Sequence, residues 1–549
     1  MNQIAPIIIA LLLSVQNAFA VPGPATTAVV ANANDPTSMI LAQRYADVRH
    51  VPDSNVCSLD LPDDVDISLS DFETRWMMPL FACLGERIEQ IEAVLLVRGV
   101  PLRVHIPVDG GVDRVSAAAA VSVWQTRMGN GRPMRGVPPG QQRQCGNTPC
   151  LAPRFENPYR SGHFEPGWQR FAAGIDWRPV LVTMLHGRNF EDAGRLLDSA
   201  LNGEQTGGGE GTFLLMQGGD PARSALDPEL EPAAEALTAI GFEAEVVPFD
   251  SDLTGRDLAA FVTGSAQLGE VIEGNTYRPG ALVDNLTSYG ALPVNFTADG
   301  QQQVSIARWV AQGVAGAHGT TDEPLSHVFP SRQFLVDYAH GMTLAESYHR
   351  NLPFAYWRNL VLGDPMAAPY AARPRVSLAG LVENEVLEAG LQLTALAMPS
   401  GEDEVVSVSV YVDGLLVQSV QGNTLEVCLR IPARPVQILV VARTGGTYPA
   451  KGWAAHRITG AGDEMDCAFP PDAGPSPSPD PFDMGSVSRP DAALDGSSPM
   501  LPDRDAVVDM GPDLSIEAAG EVDGGCRAGD GSPHAMILFW CILLCFRRR

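Results

Sequence analysis

The sequence predicts an α/β fold with a mostly parallel sheet and helices on both faces, followed by a small β-sandwich. Three observations predict it. Short apolar runs alternate with helix-capable stretches across residues 27–370. Some of these runs, Ala93–Val97 above all, are apolar at every position, which suits strands covered on both faces. At about residue 373 the pattern changes to period-two alternation around Asp413-Gly414, a strong hairpin signal.

Residues 1–20 hold an apolar stretch from Ile7 to Val15 and then Ala18-Phe19-Ala20, a small-x-small cleavage site. They read as a secretory signal peptide, although no Lys or Arg precedes the apolar stretch. A strand at 27–31 follows. Asp35 then offers an N-cap, and Pro36 the first position of a helix running to about Arg49. Val51-Pro52 breaks that helix, a strand at 55–59 follows, and a helix spans 71–90. After Ala93–Val97, Arg98-Gly99-Val100-Pro101 turns out of the strand's C-terminal end. Residues 127–168, rich in Gly, Pro, Arg and Asn, read as a long insertion or surface loop. A strand at 179–184 and a helix at 189–201 restore order. A glycine-rich joint at 206–211 then separates halves of about 21–205 and 211–372.

The second half repeats the alternation: strand 213–216, helix 232–240, strand 243–248, helix 255–262, helix 305–312 and a short buried strand at 314–317. Residues 373–467 read as an immunoglobulin-like β-sandwich. Its hairpin is Val405–Val412 with 415–420, and further strands lie at 425–431 and 436–442. From 468 to 525 the chain is Pro, Ser, Asp and Gly with few apolar residues. Such a segment cannot bury a core and reads as a disordered acidic stalk.

Composition narrows the chemistry. At 549 residues the chain exceeds one ordinary core, so two folded domains with tails are expected. The formal net charge is −28, with a large share in the stalk. No basic patch precedes the terminal arginines, so nucleic acid is not an expected partner. Lys451 is the single lysine, which removes a Walker lysine and Schiff-base chemistry from the α/β region. Of nine cysteines, Cys526, Cys541 and Cys545 lie near the C-terminus. The other six, Cys57, Cys83, Cys145, Cys150, Cys428 and Cys467, form an even set suited to an oxidising compartment. The sequence-local pairing is Cys57–Cys83, Cys145–Cys150 and Cys428–Cys467, one of many connectivities that six cysteines allow. No Cys/His spacing marks structural zinc, and no cofactor is expected.

The C-terminal 526–549 holds Cys526, a polar spacer, an apolar run from His534 to Phe546 and then Arg547-Arg548-Arg549. The run is about a dozen residues, against roughly 20 for a bilayer span. The arginines would stay cytoplasmic by the positive-inside rule. This arrangement resembles the myxobacterial C-terminal sorting signal, which implies processing and lipidation at Cys526 by a sorting protease. An ordinary tail anchor is the other reading. Either reading expects an exported protein held at the cell envelope.

Segments across 27–370 resemble, in order, an uncharacterised family of exported bacterial proteins from species with C-terminal surface-sorting systems. They are Val30-Ala-Asn-Ala-Asn-Asp35, Tyr45-Ala-Asp-Val-Arg-His-Val-Pro52 and Ala93-Val-Leu-Leu-Val-Arg-Gly-Val-Pro-Leu-Arg103. Further on come Leu181-Val-Thr-Met-Leu-His-Gly187, Pro279-Gly-Ala-Leu-Val-Asp-Asn-Leu-Thr-Ser-Tyr-Gly290 and Ala317-His-Gly-Thr-Thr-Asp-Glu-Pro324. The last are Ala345-Glu-Ser-Tyr-His349 and Leu362-Gly-Asp-Pro-Met366. The pattern is also distantly similar to the caspase-like, flavodoxin-like α/β domain of gingipain-type cysteine peptidases, which likewise precedes an immunoglobulin-like domain.

In caspase-like peptidases a His-Gly follows one buried strand and a Cys follows the next, so that the His assists thiolate attack. His318-Gly319 after the 314–317 strand fits the first requirement. The second fails, because no Cys lies between His318 and Cys428, and Leu325 occupies the Glu323-Pro-Leu-Ser-His327 loop where thiol or polar chemistry would be expected. Asp284, Thr287, Ser288, His318, Glu323 and His327 all fall in predicted loops at strand ends, where open α/β sheets place ligands. Ser288, His318 and Asp284 have the chemistry of a hydrolase triad. However, no Gly-x-Ser-x-Gly elbow surrounds Ser288, and Thr287-Ser288 equally suits a cap or turn. His318, Glu323 and His327 are zinc-compatible donors without a helical His-Glu-x-x-His spacing. Gly363-Asp364-Pro365 reads as a strand end or turn. His186-Gly187 repeats the strand-then-His-Gly pattern in the first half, which weakens the case that either copy is catalytic.

Two function classes follow. One is a non-catalytic binding or assembly protein at the cell surface with an unknown surface ligand. The other is a divergent hydrolase or peptidase built on His318 with Asp284, Ser288 and Glu323. Convergence of those four side chains on one cleft would distinguish them.

Overall fold

The computed structural model describes residues 21–108, 111–123, 144–145, 148–149, 155–157, 179–296, 303–324, 328–387 and 390–460. The expected signal peptide, stalk and sorting signal, with Cys526, lie outside the described residues, as do Cys150, Cys467, Leu325 and His327.

Ten strands make one sheet. They are β1 (Thr27–Asn32), β2 (Val56–Leu59), β3 (Ala93–Val97), β4 (Leu181–Leu185), β5 (Thr212–Gly218), β6 (Ala244–Val247), β7 (Asp257–Gly264), β8 (Thr276–Asn285), β9 (Gly316–Thr320) and β10 (Asn359–Gly363). The order is β6-β5-β7-β8-β9-β10-β4-β3-β1-β2. Every neighbouring pair is parallel except β9 with β10. Ranked along the chain, the set β1, β2, β3, β4, β10 stands in the order 2-1-3-4-5, and so does the set β5 to β9. The two sets meet fifth strand to fifth strand, so their C-terminal ends face opposite ends of the sheet. The first set is closed by β10, which the chain reaches only after finishing the second. The first half is therefore not the continuous 21–205 segment that the glycine-rich joint suggests.

β1, β3 and β4 are buried at every position, as their unbroken apolar composition requires. On β8, Leu282 and Val283 point to opposite faces. Leu282 belongs to the core that holds Phe334 and Tyr348, and Val283 to the core that holds Leu286 and Trp309. The covering helices include α1 (Pro36–Arg49), α2 (Phe190–Thr206), α3 (Leu230–Ala239), α4 (Ile306–Ala311), α5 (Gln333–Ala339) and α6 (Leu344–Asn351). Asp35 caps α1 by accepting the Thr37 N–H, with Pro36 at the first turn. Asn189 caps α2 in the same way through Asp192.

Three expectations change. The helix at 255–262 is strand β7, because a short run buried on both faces carries no periodicity to separate helix from strand. The buried strand expected at 314–317 lies at Gly316–Thr320, so His318 sits inside β9 and not beyond its end. The 71–90 helix is broken into Leu69–Asp71, a π-helical Phe72–Met77, Met78–Leu84 and a 3-10 stretch Gly85–Gln90. Pro79 removes a donor from its middle. β8 was not expected, because Pro279-Gly280 disguises it; β10 ends at Gly363, where Gly363-Asp364-Pro365 reads as a strand end.

Downstream lie β11 (Arg375–Ala379), β12 (Glu385–Val386), β13 (Leu391–Met398), β14 (Val405–Val412), β15 (Leu415–Gln421), β16 (Thr424–Leu429), β17 (Pro435–Thr444) and β18 (Lys451–Thr459). They form two sheets, β11-β13-β16 and β12-β18-β17-β14-β15. Leu393 and Val427 of the first share a core with Val408 and Ile438 of the second. The β14–β15 turn has Asp413 and Gly414 at φ 48° and 80°, the two positive angles that a tight hairpin requires.

These sheets are fixed to the α/β region. Lys451 is buried and bonds Glu92 at 2.8 Å, while Arg457 forks onto Asp53 at 2.9 and 3.0 Å. Ala25 packs against Leu439 and Val441. Cys57 and Cys83 form a disulfide, the pairing that the sequence favours. Cys428 is also disulfide-bonded. Among the described residues no helix is long and apolar enough to cross a membrane.

Candidate functional site

The expected site residues divide into two groups that do not meet. Asp284 and His318 are register partners on β8 and β9. Their side chains bond at 2.7 Å, Nδ1 to Oδ1, and both are buried, with His318 0% exposed. The other ring nitrogen, Nε2, lies 3.1 Å from Asn359 Oδ1 at the start of β10. Arg332, also buried, donates to Asp284 Oδ2 and, at 3.1 Å, to the Thr263 carbonyl. Phe329 stands edge-on to the imidazole at 5.4 Å, and Tyr348 stacks at 6.3 Å. Burial alone would raise the Asp284 carboxyl. The Arg332 guanidinium and the His318 bond outweigh it and hold the group below its ordinary value.

Ser288 and Glu323 form the second group. Ser288 Oγ donates to Glu323 Oε1 at 3.0 Å, at an exposed position. The Ser288 N–H and the Thr287 hydroxyl both donate to Gln303 Oε1, and Thr320 Oγ1 donates to the Ser288 carbonyl at 2.8 Å. Thr287-Ser288 is thus a tied turn, the structural option left open by the sequence. Among the described residues no hydroxyl bonds His318. Among the described residues no cluster of His, Cys, Asp or Glu could hold a metal.

Arg332 and Asn359 carry half of the buried network and gave no sequence signal. Each is an isolated polar residue whose role exists only because two distant strands become neighbours. The Gly363-Asp364-Pro365 turn is similar in kind. Asp364 is buried and accepts from the Tyr45 hydroxyl at 2.8 Å, Arg49 Nε at 2.6 Å and the Met366 N–H at 2.9 Å. Arg49 also bonds Glu204, which Arg373 approaches at 3.2 Å. Two of the quoted segments, 45–52 and 362–366, therefore meet in a structural ion network.

His186, the second His-Gly histidine, stands one residue beyond β4, at the opposite end of the sheet from the strand ends of the second set. Its ring meets Phe296 edge-on at 4.4 Å. Its Nδ1 is buried without a partner at hydrogen-bond distance, and burial together with the nearby Arg98 charge, opposed by the Gly187 backbone, pushes the imidazole down to about 3.

No family model matches the chain, and no curated protein matches it. Among solved structures, Clostridium thermocellum CbhA fibronectin(III)-like modules share 17% identity over 21% of this chain and 58% of theirs, with a TM-score of 0.15. Bacteroides uniformis β-glucuronidase shares 10% identity over 37% of this chain and 26% of its own, with a TM-score of 0.13. The Clostridium perfringens spore cortex lytic enzyme SleM shares 10% over 51% and 78%, with a TM-score of 0.12. The chain thus spans only part of the first two, and likeness at this level assigns no activity.

Proposed function

We propose that this chain is an exported, surface-anchored protein whose caspase-like α/β region is non-catalytic and acts in binding or assembly at the cell surface. An immunoglobulin-like β-sandwich follows as a second module, and processing at Cys526 by a sorting protease attaches the protein to the membrane. The carrying observation is His318: fully buried, with its ring nitrogens facing Asp284 and Asn359 and, among the described residues, no nucleophile bonded to it. A general base must reach the proton that it removes, and His318 has no path to a substrate. The chain leaves β7 at Ser265 and β8 at Asn285, neither of them a His or a Cys. Those two residues bond each other, at 2.8 and 2.9 Å.

The test is peptide-library hydrolysis by the purified chain beside Ser288→Ala and His318→Gln. No cleavage by any of the three is the expected result. Cleavage lost in folded Ser288→Ala would establish a hydrolase instead. For the anchoring, Cys526→Ala should leave the C-terminus unprocessed by mass spectrometry, and an unchanged C-terminus would remove that part of the reading.

A further inference from the structure

We infer that the C-terminal ends of β3 and β4 form a binding site for a small oxyanion, a carboxylate or phosphate group, with Arg98 as its principal ligand. Arg98 follows β3 directly and His186 follows β4. The register pairs Val97 with Leu185, so the two side chains leave adjacent strands side by side. The Arg98 N–H is fixed to the Leu185 carbonyl at 2.9 Å. Seven described arginines bury Nε without an acceptor. Arg223, Arg278, Arg332 and Arg373 each pair with a carboxylate, Arg87 donates to two carbonyls, and Arg443 is also engaged. Arg98 alone among them has a guanidinium bonded to nothing.

A half-buried cation without a counter-ion costs free energy, and so does an unmade buried hydrogen bond. Both are recovered when an anion arrives. A planar guanidinium suits carboxylate and phosphate through paired N–H donors. The place also fits. In open α/β sheets ligands bind outside the carboxyl ends of the strands, near the point where the strand order reverses. Here the order reverses between β1 and β3, and Arg98 stands at the carboxyl end of β3 with β4 and His186 on its other side. Asn32 of β1 donates to the Gly99 carbonyl at 2.8 Å. Gly99, at φ 105°, sets the turn that presents Arg98; a Cβ there would lie 2.6 Å from Asp35 Oδ2. His186 supplies a second polar atom, the unpartnered Nδ1, with Phe296 as an apolar wall. Neither residue belongs to the Asp284–His318 network.

The experiment is calorimetric titration of the purified chain with inorganic phosphate and, separately, with succinate, at constant ionic strength set by sodium chloride. Saturable binding of either is expected, and the better-binding probe tells phosphate from carboxylate. Arg98→Gln should weaken it at least tenfold, with partial recovery in Arg98→Lys. On the unaltered protein, the bound anion should protect Arg98, and not Arg434, from phenylglyoxal when modified peptides are weighed by mass spectrometry. That readout stands even where a variant does not fold. No saturable binding of either probe, equal binding by folded Arg98→Gln, or no protection of Arg98 would overturn the site.

Discussion

At the end of β8 the charged groups pair with one another, while Arg332 Nε and Asn359 Nδ2 stay buried without an acceptor. Asp284 is held by Arg332 and His318, His318 by Asn359, and none of them reaches solvent. At the matching ends of β3 and β4 in the other half, the Arg98 guanidinium has no partner among the described residues and His186 leaves its buried Nδ1 unbonded. The strand order is the same in both halves. Identical topology thus supports a structural network in one place and an open polar edge in the other. The catalytic-looking residues are the structural ones, because a His-Asp pair inside a sheet satisfies itself, whereas a ligand site must leave donors unsatisfied until the ligand comes.

The contrast can be broken most severely at Asp284. Asp284→Ala strands the Arg332 charge in the core and should cost about 3–5 kcal/mol in urea unfolding; a loss below about 1 kcal/mol would show that the network is not structural. Titration sharpens the same point at two other carboxyls, one half-buried and one buried. Glu204 would be raised by burial, but Arg373 and Arg49 hold it down to about 2, below its ordinary 4.5. Its folded value is depressed, so its contribution is present above pH 4.5 and is lost as pH falls through 2. Glu346 is raised by burial to about 7 despite its bonds with Thr343. Its contribution is full below pH 4.5 and is lost as pH rises through 7. Glu204→Gln should flatten the acid limb of stability, and Glu346→Gln the 4.5–7 limb, each by about 3 kcal/mol. Coincident wild-type and variant curves would contradict both.

Smaller effects belong to the open edge. Gly99→Ala forces a side chain into a left-handed turn against Asp35 and should cost about 1–3 kcal/mol, together with the oxyanion affinity. Arg98→Met removes an uncompensated cation and should leave stability unchanged or raise it by about 1 kcal/mol. A large loss there would mean that Arg98 is structural, like Arg332. Ser288→Ala removes one exposed hydrogen bond and should stay within about 0.5 kcal/mol by thermal melting.

Much of the architecture was legible because it rests on local physics. Ala93–Val97 could be read as a buried strand from its composition, Asp35-Pro36 as a helix start from capping, and Asp413-Gly414 as a hairpin from its turn chemistry. β7 was not legible, since a short run buried on both faces has no period to read. The strand holding His318 was read as ending at 317 instead of 320, and that shift turned a core side chain into a supposed loop residue.

By itself the sequence determined an α/β region, a change to antiparallel strands near 373 and the Cys57–Cys83 neighbourhood, all set by hydrophobic period, caps and short-range spacing. Only the tertiary structure decided that β10 returns to close the first half, that Asp284 and His318 spend their hydrogen bonds on Arg332 and Asn359, and that the Arg98 guanidinium is left with none among the described residues. Each of these depends on residues tens to hundreds of positions apart becoming strand neighbours, and pairing between distant strands leaves no trace in local composition.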